Sequence, residues 1–178
     1  SGYAVLIVEH RLEQVLPFVH EVWRLRNGSL ERQTGREALR AAPPETAEHI
    51  HAEARREEPV MTLRSVGWRA GGRSILEGVD LTLFQGERLL LLGDNGCGKT
   101  SLLRLIARLA RPTVGEIRQL IDPALGQRRG SRAWFRRVGV VYQNPNCQLF
   151  MPTVAQEVAF AAKSEDFARE IMELFGIA

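Results

Sequence analysis

The chain has 178 residues, 44% of them apolar and 25% charged, with a net charge of +3. This is ordinary for a soluble globular protein and long enough for one domain with a real core. No apolar run approaches the roughly 20 residues needed to cross a bilayer. Two cysteines, Cys97 and Cys147, suggest a reducing compartment and no disulfide framework, and the weak, scattered positive charge does not by itself argue for nucleic acid.

Ala4-Val5-Leu6-Ile7-Val8 is an apolar run of the kind a strand buried on both faces needs, with Glu9-His10 at its carboxyl end. Arg11 to Val19 is expected as a short helix striped by Leu12, Val15, Leu16 and Val19, a reading that Pro17 opposes. Glu21 to Arg26 alternates like a strand, and Asn27-Gly28 makes a turn. Residues 32–58 hold Pro43-Pro44 and a stretch rich in charge and alanine, with almost nothing able to enter a core. A solvated linker is expected there, helical in its second half. Strands follow at Val60 to Leu63 and Ile75 to Leu83, with turns at Gly71-Gly72 and Gln85-Gly86.

Leu89-Leu90-Leu91-Leu92 is a second strand patterned for burial on both faces. It runs into Gly93-Asp94-Asn95-Gly96-Cys97-Gly98-Lys99-Thr100, a complete phosphate-binding loop. Ser101 to Leu109 then places Leu102, Leu105, Ile106 and Leu109 on one helical face. Glycines let the backbone wrap a polyphosphate, so that loop amides and the helix start point at negative oxygens. Lys99 can reach the β- and γ-phosphates, and the Thr100 hydroxyl can ligate Mg²⁺. Lys99 and Lys163 are the only lysines among 24 cationic side chains, which fits a specific role for Lys99. Cys97, at a helix N-terminus, is either a thiol with thiolate character or a small residue at a variable loop position. Pro112 and Gly115 close this helix. Residues 122–134 are expected as a surface loop, Arg137 to Tyr142 as a strand ending at Gln143, and Val154–Ala162 and Phe167–Phe175 as amphipathic helices.

Val141-Tyr142-Gln143-Asn144-Pro145-Asn146-Cys147-Gln148-Leu149-Phe150, followed by Thr153-Val154 and Glu157-Val158-Ala159-Phe160, resembles the Q-loop region of ATP-binding cassette (ABC) ATPases, and more narrowly the energy-coupling-factor and cobalt/nickel-uptake group. The phosphate loop through Ser101, Leu76-x-x-Val79-x-Leu81 and Gly86-Glu87 fit the same family, so the likeness covers residues 59–178. Ala4 to Leu12 is similar to the family's switch-histidine strand, and Trp23 to Gly28 to the strand and turn after it. The order is then the tail of one ATPase domain (1–31), a linker (32–58) and the head of a second (59–178), as in a piece from the middle of a tandem chain.

The resemblance implies an α/β fold: a P-loop NTPase core with a mostly parallel sheet flanked by helices, plus an antiparallel β subdomain, here incomplete. It implies ATP and Mg²⁺ as ligands. Gly93, Asn95, Gly96, Cys97, Gly98, Lys99, Thr100 and Ser101 would surround phosphate, Thr100 and Gln143 would hold Mg²⁺, and His10 would contact the γ-phosphate. Trp68 either stacks on adenine or belongs to the core. Leu149 and Phe150 belong either to a docking surface for a membrane subunit or to buried packing. Implied partners are a transmembrane coupling subunit, a substrate-binding membrane subunit and a second ABC ATPase domain, at the cytoplasmic face of the membrane and without nucleic acid. The sequence contains no Leu-Ser-Gly-Gly-Gln signature and no apolar strand ending in Asp-Glu, so the chain alone is expected to bind nucleotide weakly and hydrolyse it hardly at all. A soluble ABC protein acting on nucleic acid or ribosomes, and a non-catalytic nucleotide-binding remnant, are the alternatives. The family further implies that residues 4–8 and 22–26 flank Leu89–Leu92. Either this chain pairs them itself, or another chain does.

Overall fold

Four consecutive leucines present apolar side chains to both faces of a sheet, so their strand is stable only with neighbours on both edges and layers on both faces. The computed structural model supplies them from the beginning of the same chain. It describes residues 3–9, 15–33, 58–120, 132–135, 137–142, 144–162 and 164–177. In chain order the elements are β1 (Val5–Ile7), a 3₁₀ turn at Leu16–Phe18, β2 (Glu21–Arg26), β3 (Ser29–Gln33), β4 (Pro59–Ala70), β5 (Arg73–Phe84), β6 (Arg88–Leu92), α1 (Lys99–Ile106), β7 (Val114–Gln119), α2 (Arg132–Phe135), a 3₁₀ turn at Pro145–Gln148, α3 (Val154–Ala161) and α4 (Glu165–Leu174). They form two compact units, Ser1–Val138 and Gly139–Ala178.

In the first unit, one sheet has the order β1-β6-β2-β3. β6 is parallel to β1 (Leu6 beside Leu89) and to β2 (Val22 beside Leu90), and β3 returns antiparallel to β2. Of the two pairings open from sequence, the chain thus makes the internal one. A second, antiparallel sheet has the order β5-β4-β7. The larger core lies between the sheets and α1, joining Leu89 and Leu91 to Leu63, Val66, Leu76, Leu81, Leu102 and Leu105. On the opposite face of β6, Leu90 and Leu92 pack with Leu16, Val19 and Val22. Both faces of the leucine strand are therefore buried, as its composition demands.

Several expectations need correction. Of the helix expected over Arg11 to Val19, Val15 is helical and Leu16–Phe18 tightens into a 3₁₀ turn, where Pro17 supplies no amide for an α-helical bond; residues 10–14 lie outside the described residues. β3 runs to Gln33, two residues into the expected linker, because the Asn27-Gly28 turn folds it back on β2 with Arg26 opposite Ser29; residues 34–57 lie outside the described residues. The phosphate-loop helix spans Lys99–Ile106 rather than reaching Leu109, since Arg108 turns left-handed at φ 60°. The surface loop expected at 122–134 ends in a helix whose Trp134 is 1% exposed and donates Nε1–H to the Ala107 carbonyl at 3.0 Å. Its indole belongs to the core, a contact invisible to local periodicity; residues 121–131 lie outside the described residues.

The strand expected at Arg137 to Tyr142 is absent. Gln148 explains it in part: its amide Nε2 donates to the Val140 carbonyl at 2.6 Å, and its Oε1 accepts from the Tyr142 amide at 2.9 Å. One side chain thus satisfies the backbone groups that a neighbouring strand would otherwise take. Within the second unit, Ser164 caps α4 by accepting from the Phe167 amide. Glu157 accepts from the Phe150 and Met151 amides at 2.8 and 2.7 Å. Of its described side chains only Ala168 is a buried apolar one, and Leu149, Phe150, Phe160, Leu174 and Phe175 are all exposed.

The seam between β2 and β6 carries a titratable clamp. The His20 amide donates to the Arg88 carbonyl at 2.7 Å, its Nδ1 accepts from the Arg88 amide at 2.9 Å, and its Nε2 lies 3.0 Å from Arg88 Nη2. Arg88 Nε also donates to the Phe18 carbonyl. Burial first, and the guanidinium charge second, hold the imidazole below its ordinary pKa of 6.5. The folded chain therefore binds this proton less tightly than the unfolded chain. No penalty exists above pH 6.5, one grows as pH falls below it, and it is complete once the lowered folded value is passed. The urea midpoint of the wild-type chain should fall faster with acidification than that of His20→Gln. Parallel midpoints for the two chains across this range would show that His20 is not linked to folding.

Candidate phosphate-binding site

The loop begins where β6 ends. Gly93 has φ 149°, and a Cβ there would stand 2.5 Å from the Leu25 carbonyl oxygen and 2.6 Å from Cys97 Sγ. No L side chain fits that space, so the backbone of β2 approaches the loop as closely as atoms allow. At the other end Gly98 (φ 110°, ψ 7°) is the N-cap of α1. A Cβ on it would meet Leu76 Cδ2 at 3.1 Å, Ile75 Cγ2 at 3.2 Å and the Ile75 carbonyl oxygen at 3.3 Å. Between these ends Asp94, Asn95 and Gly96 are exposed and Cys97 is half-buried. The Cys97 amide donates to the Asp94 carbonyl at 3.2 Å, closing the turn.

Lys99 is the first residue of α1, yet only 8% exposed. Its ammonium folds back under the loop and donates to the Gly93 carbonyl at 2.6 Å and the Asp94 carbonyl at 2.8 Å, with Cys97 Sγ at 3.9 Å. The two carbonyls carry no net charge, so they hold the positive charge in place without neutralising it. The first-turn amides of a helix have no intrahelical acceptor. Here no capping side chain accepts from them and the first turn contains no acid. A fixed cation, glycine-permitted backbone curvature and a helix start together favour a polyanion.

The structure thus gathers Gly93, Asn95, Gly96, Cys97, Gly98, Lys99, Thr100 and Ser101 into one loop and helix start, with Thr100 exposed and Ser101 half-buried. Trp68 lies on the neighbouring strand β4. Its ring packs half-buried on the main core, and its backbone pairs with Leu76, whose side chain lies against Gly98. His10 and Gln143 lie outside the described residues. Sequence reasoning missed the supports from Leu25 and Ile75. Both are ordinary apolar strand residues, Leu25 meeting the loop through its carbonyl and Ile75 through its Cγ2 methyl and its carbonyl, so no local pattern marks them.

The chain matches the family described as ABC transporter over residues 76–178. The nickel import ATP-binding protein NikO of Rhodobacter capsulatus is 42% identical over 106 residues, 57% of this chain and 42% of that protein. The energy-coupling factor transporter ATP-binding protein EcfA of Methanosphaera stadtmanae is 35% identical over 99 residues, 56% of this chain and 36% of that protein. Among solved structures, cbiO1 from Clostridium perfringens, part of the ABC transporter complex cbiONQ, superposes with a TM-score of 0.50 at 26% identity, covering 66% of this chain and 49% of that one. The chain spans less than half the length of these relatives.

Proposed function

The chain belongs to the ABC transporter family, and from that premise we propose that its phosphate loop binds ATP·Mg²⁺ within the ATPase component of an energy-coupling-factor importer for a vitamin or transition-metal ion. The observation that carries this reading is Lys99, buried and held by two loop carbonyls beneath a cradle whose ends admit only glycine. Lys99 and the loop amides would hold the phosphates and Thr100 would ligate Mg²⁺, with Gln143 as second ligand and His10 at the γ-phosphate. Bound Mg²⁺ would neutralise charge on the phosphate oxygens. Names of similar proteins, a nickel importer and an energy-coupling-factor transporter, support the importer class.

In the same reading residues 1–31 are the tail of one ATPase domain, 32–58 a linker and 59–178 the head of another. A second ABC domain completes the site, and a membrane coupling subunit and a substrate-binding membrane subunit complete the importer. Exposed Leu149 and Phe150 favour a docking role over buried packing. Among the described residues no helix is long and apolar enough to cross a membrane, which suits a peripheral subunit at the cytoplasmic face.

Adding ATP·Mg²⁺ to the purified chain should slow amide hydrogen exchange over residues 93–100, with negligible turnover. Unchanged exchange there, also after flanking sequence is restored, would overturn the ATP reading. Turnover by the 178-residue chain that Lys99→Ala abolishes would overturn the claim of inactivity alone.

A further inference from the structure

The two supports of the phosphate loop converge on one hairpin turn. Leu25, whose carbonyl abuts Gly93, is the second residue before Asn27-Gly28. Ile75, whose carbonyl abuts Gly98, belongs to the part of β5 on which the same turn rests. There the Glu77 amide donates to the Gly28 carbonyl at 2.9 Å, and the Ser29 hydroxyl reaches the Glu77 carbonyl at 3.4 Å. Gly28 itself has φ 81°, and a Cβ on it would press on the Ile75 carbonyl oxygen at 3.2 Å and the Glu77 amide nitrogen at 3.3 Å. The turn therefore touches both the strand that meets the loop's first glycine and the strand that meets its last.

We infer that the Asn27-Gly28 turn is a positioning element for the phosphate loop, spacing the Leu25 carbonyl at Gly93 and the Ile75 carbonyl at Gly98 so that the cradle keeps its curvature. The atoms nearest a Cβ on Gly28 belong to β5, so it acts through β2 and β5. A side chain there must push β5 away from the hairpin, and the displacement is delivered to Gly98. This assignment rests on the reading of residues 93–100 as the nucleotide cradle, but its structural half is separable from it.

Gly72 provides a matched control. It occupies the β4–β5 turn at φ 77°, with nothing within 4 Å of a Cβ. Gly28→Ala and Gly72→Ala therefore impose similar backbone strain, and only the first disturbs a neighbour of the loop. Gly28→Ala should raise the dissociation constant for fluorescent ATP·Mg²⁺ roughly tenfold, as expected when a binding group shifts by a fraction of an ångström. Gly72→Ala should stay within about twofold of wild type at a similar loss of thermal stability. Equal affinities for the two variants would overturn the inference. Should the wild-type chain bind no ATP, the function proposed above fails, and hydrogen exchange without nucleotide tests the positioning role: the Cys97 and Leu102 amides should exchange faster in Gly28→Ala than in Gly72→Ala, and equal rates would overturn it. Should Gly28→Ala not fold, hydrogen exchange of the wild-type chain in rising urea takes the place of the variant. The Glu77, Cys97 and Leu102 amides should open together; loop amides still protected after Glu77 has opened would refute the coupling.

Discussion

Replacing Lys99 by alanine should raise the dissociation constant for ATP·Mg²⁺ about a hundredfold while leaving the fold nearly intact. In a phosphate complex the ammonium makes charge-assisted hydrogen bonds, each contributing about 1.5–3 kcal/mol, and about 2.8 kcal/mol corresponds to that hundredfold. Its bonds in the present structure go to the Gly93 and Asp94 carbonyls at the mouth of an exposed loop, where water can take its place. The stability cost is then about 1 kcal/mol, a melting shift of roughly 2–4 °C for a chain of this size. Lys99→Arg should not restore binding, because a planar fork cannot pass beneath the loop to the same two carbonyls. Calorimetric titration and thermal melts of the three chains separate affinity from folding. Equal ATP affinity for wild type and Lys99→Ala would remove Lys99 from the site.

The second large effect concerns the seam that brings the amino-terminal strands to β6. Leu90 and Leu16 are both 0% exposed and share the smaller core cluster with Val19, Val22 and Leu92. Leu90→Ala and Leu16→Ala should each cost about 2–5 kcal/mol, since a packed leucine leaves a cavity that relaxes only in part. Against a typical total of about 5–15 kcal/mol, either loss is severe. Leu149→Ala, at a side chain 58% exposed, should change stability by less than about 0.5 kcal/mol. The double variant Leu16→Ala/Leu90→Ala should lose less than the sum of the single losses, because the two side chains share one cavity. Urea unfolding measures these four variants against wild type, and strict additivity would show that the 15–26 segment does not pack on β6. Because this pairing is internal, the melting temperature should not depend on protein concentration; a steep dependence would indicate strands supplied by a second chain.

The phosphate loop was legible from sequence because its information is local. Three glycines, a lysine and a threonine at fixed spacing between an apolar run and an amphipathic stretch describe one continuous backbone path, which the structure reproduces from Gly93 into α1. β3 and β7 were missed because both are short, largely polar strands without clean alternation. The error at residues 137–142 has a different origin. Apolar β-branched composition correctly reports an affinity for strand geometry, but a strand also needs a partner, and here the Gln148 amide takes the backbone bonds of Val140 and Tyr142.

Composition and spacing by themselves determined a glycine-rich loop that curves into a helix start, a lysine at its base and the burial of the leucine strand before it, since each depends only on neighbours in the chain. Only the tertiary structure decided which strands flank that leucine run, that Trp134 enters the core, and that carbonyls of Leu25 and Ile75 brace the two ends of the cradle. These are meetings between segments tens of residues apart, made by backbone atoms or by mutual burial. A residue's own type carries no label for the distant partner whose approach it permits.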